Sequence, residues 1–179
     1  MTPEFSRRID IRNLPAGTLK VEANADECAA LAKRIGIEAV ERLSAEVTML
    51  PGGGAIAVSG QVCAAVIQLC GISNEPFPTL IDEPLTLRFV QGIAAHKPDE
   101  ELEIDAEACD EIEFDGTQFD LGEQIAQTLS LAIDPYATGP NADRVRREAG
   151  LGDVASSGPF AALAALKKLS RPQQKTRLS

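Results

Sequence analysis

Apolar and polar residues alternate along several short stretches of the chain, and this period of two is typical of strands with one face in water. The pattern covers residues 5–12, 43–50 and 83–90. Residues 55–70 are apolar on both sides, which predicts a central strand. Residues 51–54 read Pro-Gly-Gly-Gly, so we expect a hairpin turn between the second of these strands and the central one.

Two helices are predicted from pairs of residues that cap helix starts. Asn24 is followed three residues later by Glu27, and such a pair satisfies free backbone N–H groups in the first turn of a helix. Gly36 stands where this helix would end, because glycine readily adopts the left-handed conformation of a helix terminus. Asp120 and Glu123 have the same spacing and predict the second helix.

These elements predict an α+β fold with a mostly antiparallel sheet, either open or closed into a small barrel, and two to three helices. We expect a single domain over residues 1–137. The content of Gly, Pro, Asn and Ser then rises, and residues 138–158 are predicted to form a flexible basic linker. Residues 159–179 are predicted to hold a short amphipathic helix and a disordered tail.

The predicted C-terminal helix has two open interpretations. Its apolar residues recur at helical spacing beside two lysines: Phe160, Leu163, Leu166, Leu169, Lys167 and Lys168. The helix could lie on a detachable recognition arm that places its apolar side in a groove of a partner. It could equally dock on its own domain, since small domains use terminal helices to cover exposed sheet surface.

Charge is divided unevenly along the 179 residues, whose formal net charge is -10. The chain up to Gly139 has nine Lys and Arg against 24 Asp and Glu, and the remainder has eight basic against three acidic residues. RNA binding depends largely on neutralising phosphates, so we expect the acidic body to repel RNA. Direct RNA contact would fall to the basic tail or to Arg7, Arg8 and Arg12.

Residues that could carry catalysis or bind metal are sparse. His96 is the only histidine, so a catalytic triad would depend on this one residue in a polar stretch. Cys63 and Cys70 would lie roughly 23 Å apart on opposite faces of one strand, and no Cys-x-x-Cys pair exists. Residues 99–123 contain twelve acidic side chains but lack the spacing of a calcium loop. The expectation is no enzyme activity, no metal and no cofactor.

The chain has no run of about 20 apolar residues and no secretion-signal pattern at its start, which favours a cytoplasmic protein that does not enter a membrane.

Several stretches, read in order, resemble the YceD family, and in particular its alphaproteobacterial form. They are 3–7, which reads Pro-Glu-Phe-Ser-Arg; 58–64 and 68–70, with the Glu-Pro-Phe of 75–77; 89–90; 120–123; 129–131; 134–136; and 159–167. Two features depart from many relatives: Ile67 stands where a second cysteine would lie three residues before Cys70, and the tail has no cysteine. A metal role inferred for such relatives is therefore not carried over.

The resemblance implies a non-enzymatic role in the synthesis, processing or accumulation of 23S, the large-subunit ribosomal RNA, with no catalytic residues to transfer. We expect a ribosomal protein or assembly factor as partner, with ribosomal RNA contacted through the basic tail, and no small-molecule substrate. The candidate interaction surface comprises Gln68, Cys70, Glu75, Pro76, Phe77, Arg144, Arg146, Arg147, Phe160, Lys167 and Lys168.

Two alternatives stay open. The first five of these residues could instead end a strand and anchor a turn, with Phe77 buried. The protein could also be a metal-dependent RNA-processing enzyme, in which carboxylates of residues 99–120 hold Mg²⁺.

Overall fold

The computed structural model describes residues 3–92 and 111–150. Ten elements follow one another in this part of the chain: β1 (Arg8–Asp10), β2 (Thr18–Glu22), α1 (Ala25–Ile35), β3 (Ala39–Gly52), β4 (Ala55–Leu69), β5 (Pro76–Gln91), β6 (Glu111–Phe114), β7 (Gln118–Asp120), α2 (Leu121–Ala132) and α3 (Ala142–Glu148). None of these helices is long and apolar enough to cross a membrane.

The strands form a five-stranded sheet in the order β2-β3-β4-β5-β6 and a separate pair of β1 with β7. All neighbouring strands are antiparallel except β5 and β6, which run parallel. The predicted α+β class with a mostly antiparallel sheet is confirmed. A closed barrel is not found in the described part of the chain, where β2 and β6 are the two edges of the sheet. Helices α1 and α2 pack on the sheet, so its apolar face is buried without closure.

Strands β3 and β4 form the predicted hairpin. Its turn consists of Gly53 and Gly54, which lie between the paired residues Gly52 and Ala55. The φ angles of the two turn residues are 60° and 80°. A two-residue turn with both residues left-handed matches the twist of the flanking strands, and glycine adopts this conformation without steric cost.

Strand β4 is central, as predicted, but only one of its faces is covered by the described residues. The apolar residues at even positions are buried in the core: Ile56, Val58, Val62, Ala64 and Val66. The apolar residues at odd positions from Ala57 onward are half-buried or exposed, and Leu69 is 40% exposed. We call the side of the sheet that carries these odd-numbered residues the outer face.

The caps of α1 and α2 match the predictions. Asn24 Oδ1 accepts a hydrogen bond from the Glu27 N–H at 2.9 Å, and Glu27 Oε2 accepts one from the Asn24 N–H at 2.9 Å. Gly36 ends α1 with a φ of 82°. Asp120 caps α2, because its Oδ1 accepts from the Glu123 N–H at 3.3 Å. These local signals place both helices correctly along the chain.

Candidate interaction surface

The turn between β4 and β5 contains much of the predicted interaction surface. The Cys70 N–H donates to the Glu75 carbonyl oxygen at 2.9 Å, and the Asn74 N–H donates to the Cys70 carbonyl oxygen at 2.9 Å. Asn74 has a φ of 56°, in the left-handed region that asparagine tolerates better than most residues. These bonds close the turn and fix the position from which Glu75 extends.

The thiol of Cys70 is part of this turn and is only 2% exposed. Its Sγ accepts hydrogen bonds from the backbone N–H groups of Ser73 at 3.4 Å and Ile72 at 3.5 Å. Hydrogen bonds from the Ser73 side chain and then from its backbone lower the pKa of Cys70 to about 7, because donors stabilise the thiolate. The sulfur therefore holds the turn together from within.

Gln68 and Phe77 also contribute to the architecture of this region. Gln68 is 5% exposed, and its Nε2 donates to Thr79 Oγ1 at 2.8 Å, so this buried amide has a partner. Phe77 is half-buried under Gly139, where an added Cβ would lie 3.1 Å from Cδ1 of the ring. Pro76, by contrast, is exposed. The geometry favours the interpretation that the inner members of this set end a strand and anchor a turn.

The segment after α2 packs against the same turn. The Gly71 N–H donates to the Ala137 carbonyl oxygen at 3.0 Å. Asn141 Nδ2 donates to Glu75 Oε2 at 2.7 Å, and Arg144 Nη2 lies 3.8 Å from Glu75 Oε1. The structure thus brings together Glu75 and Arg144, which the sequence placed in separate parts of the candidate surface.

Helix α3 lies inside the segment predicted to be a linker, and its first residue, Ala142, is 4% exposed. The arginines of α3 have acidic partners: Arg144 with Glu148 at 3.2 Å, and Arg146 with Asp143 at 3.3 Å. Helical spacings of three and four place these opposite charges together.

All three arginine side chains of α3, including Arg147, are exposed. Surface ion pairs contribute about 0–1 kcal/mol, so such pairs leave the guanidinium groups available to an anionic partner. The other predicted members of the surface, Phe160, Lys167 and Lys168, lie outside the described residues.

A second polar cluster, which was not predicted as a site, joins residues 4–7 to both large helices. Arg7 forms two parallel bonds with Glu27, at 2.7 and 2.8 Å, and its guanidinium lies 4.4 Å from the ring centre of Phe5. The Arg7 side chain lowers the pKa of Glu27 through these bonds. Asp120 accepts from the Arg7 N–H at 2.8 Å and from Ser6 Oγ at 2.5 Å.

Arg34 extends this cluster from the end of α1 to the start of α2. Its two terminal nitrogens lie 2.6 and 2.8 Å from the carboxylate oxygens of Glu123, and Nη1 lies 3.1 Å from Glu4. The hydrogen bond from Arg34 lowers the pKa of Glu123. We call residues 4–7 with these helix-terminal partners the N-terminal clasp. Its members come from residues 4–7, from α1 (Glu27 and Arg34) and from the start of α2 (Asp120 and Glu123).

Metal ligands do not converge in the described residues. Across 3–92 and 111–150, no group of three or more His, Cys, Asp or Glu side chains could hold a metal ion. Cys28, Cys63 and Cys70 are free thiols. His96, Cys109 and residues 99–110 of the acidic run lie outside the described ranges. The described end of that run is divided among β6, β7 and the start of α2.

Comparison with known proteins found no family model, no curated protein and no solved structure that matches this chain. Function is therefore inferred from the residues, from their geometry and from the resemblance described above.

Proposed function

We propose that this protein is a non-enzymatic factor in ribosome biogenesis that acts in the cytoplasm through protein–protein contacts. It supports the synthesis, processing or accumulation of large-subunit ribosomal RNA, in line with the family that the sequence resembles. The observation that carries the proposal is the division of charge. Described residues up to Gly139 include 17 Asp and Glu against eight Lys and Arg, whereas α3 presents three exposed arginines.

The few cations of the acidic body are largely engaged in ion pairs. Arg7 and Arg34 belong to the N-terminal clasp, and Arg12 binds Asp10 at 2.7 Å. Glu41 and Glu46 of β3 are exposed, so the surface field is dominated by negative charge. Such a field speeds and orients the approach of a basic ribosomal protein or assembly factor. The same field repels RNA, which leaves contact with ribosomal RNA to the basic C-terminal part.

Two charge-reversal variants of the full chain separate the roles of the body and α3. Basic proteins should copurify with the wild type after nuclease treatment. We expect Glu41→Lys/Glu46→Lys to lose these proteins. In Arg146→Glu/Arg147→Glu, we expect those proteins to remain and RNA retention to fall. The retained proteins should also dissociate from the wild type as salt is raised, because screening weakens exposed charge contacts. Identical protein partners for the wild type and the β3 variant would contradict the proposal.

The cellular role is tested by removing the protein and measuring precursor and mature large-subunit RNA. We expect precursor RNA to accumulate or mature RNA to fall, and full-length protein to restore both. Unchanged RNA levels would refute the role in biogenesis. Cleavage of precursor RNA by the purified protein with Mg²⁺, abolished by EDTA, would instead establish the metal-dependent alternative.

A further inference from the structure

The outer face of the sheet has an apolar patch at one end. It consists of three pairs of residues that lie opposite each other on β4 and β5: Ala65 with Leu80, Ile67 with Pro78, and Leu69 with Pro76. Leu80 is 81% exposed and Leu69 is 40% exposed. We call these six residues the outer-face patch. Adjacent exposed apolar side chains of this kind mark a surface that another element covers.

The neighbouring edge of β5 is unsuited to adding a further strand. In the described chain, β5 pairs with β6 only through Arg88–Gln91, which leaves the preceding residues at an edge. The Gly92 N–H donates to the Phe114 carbonyl oxygen on β6. Because alternate residues of a strand point their backbone N–H and C=O groups to opposite sides, the even-numbered residues of β5 point theirs toward this edge. Pro76, Pro78 and Pro84 are all even-numbered and have no N–H to donate. An occupant would therefore pack on the face, as a helix does, rather than extend the sheet.

The chain itself supplies a segment within reach of this face. Helix α3 is bound to Glu75, the residue immediately before the patch begins at Pro76, and the described chain ends at Gly150. The ten residues from there to Phe160 can span up to about 33 Å when extended. The patch is about 13 Å long, because it covers five residues of each strand at about 3.3 Å per residue. The apolar residues that begin at Phe160 therefore reach the whole patch.

The length and charge of that segment also fit. As the predicted helix, the stripe from Phe160 to Leu169 would be about 13.5 Å long at 1.5 Å per residue, equal to the patch. Glu75 and Asp82 border the patch at the two ends of its β5 side, and both are exposed. Lys167 and Lys168 lie near one end of the stripe and would come close to one of these two carboxylates.

We propose that residues 159–170 of the same chain dock on the outer-face patch through Phe160, Leu163, Leu166 and Leu169. This contact covers one end of the outer face of β4 and β5 and places the basic C-terminal part beside the acidic sheet. It goes beyond the proposed function, because it concerns how the chain covers its own sheet and holds whether or not the protein acts on ribosomes.

Hydrogen–deuterium exchange of the full-length protein tests the docking. We expect amides of residues 159–170 to be protected in the wild type and to exchange about ten- to a hundredfold faster in Leu80→Lys, the range that corresponds to losing one buried leucine contact. Leu131→Lys is the matched control, because Leu131 is 87% exposed and lies on α2, away from the outer face. It should leave the protection unchanged.

A photo-crosslinking amino acid at position 80 of the full chain identifies the occupant. Docking predicts crosslinks to residues 159–170 within the same molecule, at a yield that does not depend on protein concentration. Concentration-dependent covalent dimers would assign the patch to a second copy and overturn the proposal. An absence of protection in the wild type, or protection that persists in Leu80→Lys, would also overturn it.

Discussion

Replacing Gly122 by alanine tests the N-terminal clasp at its closest approach. Gly122 lies in the first turn of α2, and an added Cβ would lie 2.7 Å from the Arg7 nitrogen and 2.8 Å from the Phe5 carbonyl oxygen. Both are backbone atoms, so no side-chain rotation relieves the contact. The N-terminal strand must move away from α2, which weakens the bond from the Arg7 N–H to Asp120 and the 3.0 Å bond from the Leu121 N–H to the Arg7 oxygen.

The expected net effect of Gly122→Ala is destabilisation by about 2 kcal/mol. Overpacking costs about 1–3 kcal/mol, and each weakened hydrogen bond about 0.5–1.5 kcal/mol. Alanine recovers about 1 kcal/mol through its higher helix propensity. In a chain of this size, the resulting fall in melting temperature is about 4–8 °C. Urea unfolding of the full-length variant, followed by circular dichroism, measures the free energy of unfolding directly.

Gly52→Ala is the matched control for this substitution. An added Cβ at Gly52 meets no atom within 4 Å, and its φ is outside the left-handed region. We expect its stability to stay within about 0.5 kcal/mol of the wild type. If Gly122→Ala were as stable as the wild type, or more stable, the gain in helix propensity would exceed the cost of the clash. Residues 5–7 would then not pack closely against α2.

Three further variants test the turn and the clasp. Glu75→Lys should reduce stability by less than about 1 kcal/mol, because Glu75 is exposed and its pairs with Asn141 and Arg144 are at the surface; a larger loss in thermal melts would make Glu75 architectural. The folded pKa of Cys70, about 7, lies below its ordinary 9.0, so its thiolate stabilises the fold fully above pH 9 and this contribution is lost as pH falls through about 7. The stability of the wild type relative to Cys70→Ala should therefore rise between these pH values in urea titrations, and parallel profiles would contradict the sign. The folded pKa of Glu27 is likewise lowered, so its stabilisation is complete above the ordinary value of 4.5 and is lost in acid. Arg7→Lys replaces the two-bond guanidinium contact by a single ammonium, and we expect its midpoint of acid unfolding to shift to higher pH; an unchanged midpoint would mean that the paired geometry contributes little.

Features that depend on residues close together in the sequence were predicted well. Contacts between residues far apart in the sequence were not. The cap at Asn24 and the glycine turn of the β3–β4 hairpin depend on neighbours two to three residues away, so the sequence specifies them directly. The bond from Ser6 to Asp120 joins residues far apart in the chain, and no periodicity encodes such a pairing. The parallel pairing of β5 and β6 is equally invisible, because a period of two shows which face is apolar but not which way a neighbour runs. For the same reason the sequence could not decide between an open sheet and a barrel.

Several of the sequence motifs have their side chains engaged inside the fold. Residues 3–7 and 120–123 meet in the N-terminal clasp, and Cys70 and Phe77 hold the β4–β5 turn and the segment before α3 in place. A residue whose polar groups are already satisfied inside the fold has little capacity left for a partner, and the described chain has no buried side-chain nitrogen or oxygen without a hydrogen bond. If the protein acts through partners as proposed, binding would draw on exposed groups, which are the carboxylates of the acidic body and the arginines of α3. Substitutions within the motifs should impair function in proportion to the stability they remove, whereas charge reversals at exposed positions should impair function while the free energy of unfolding stays nearly constant.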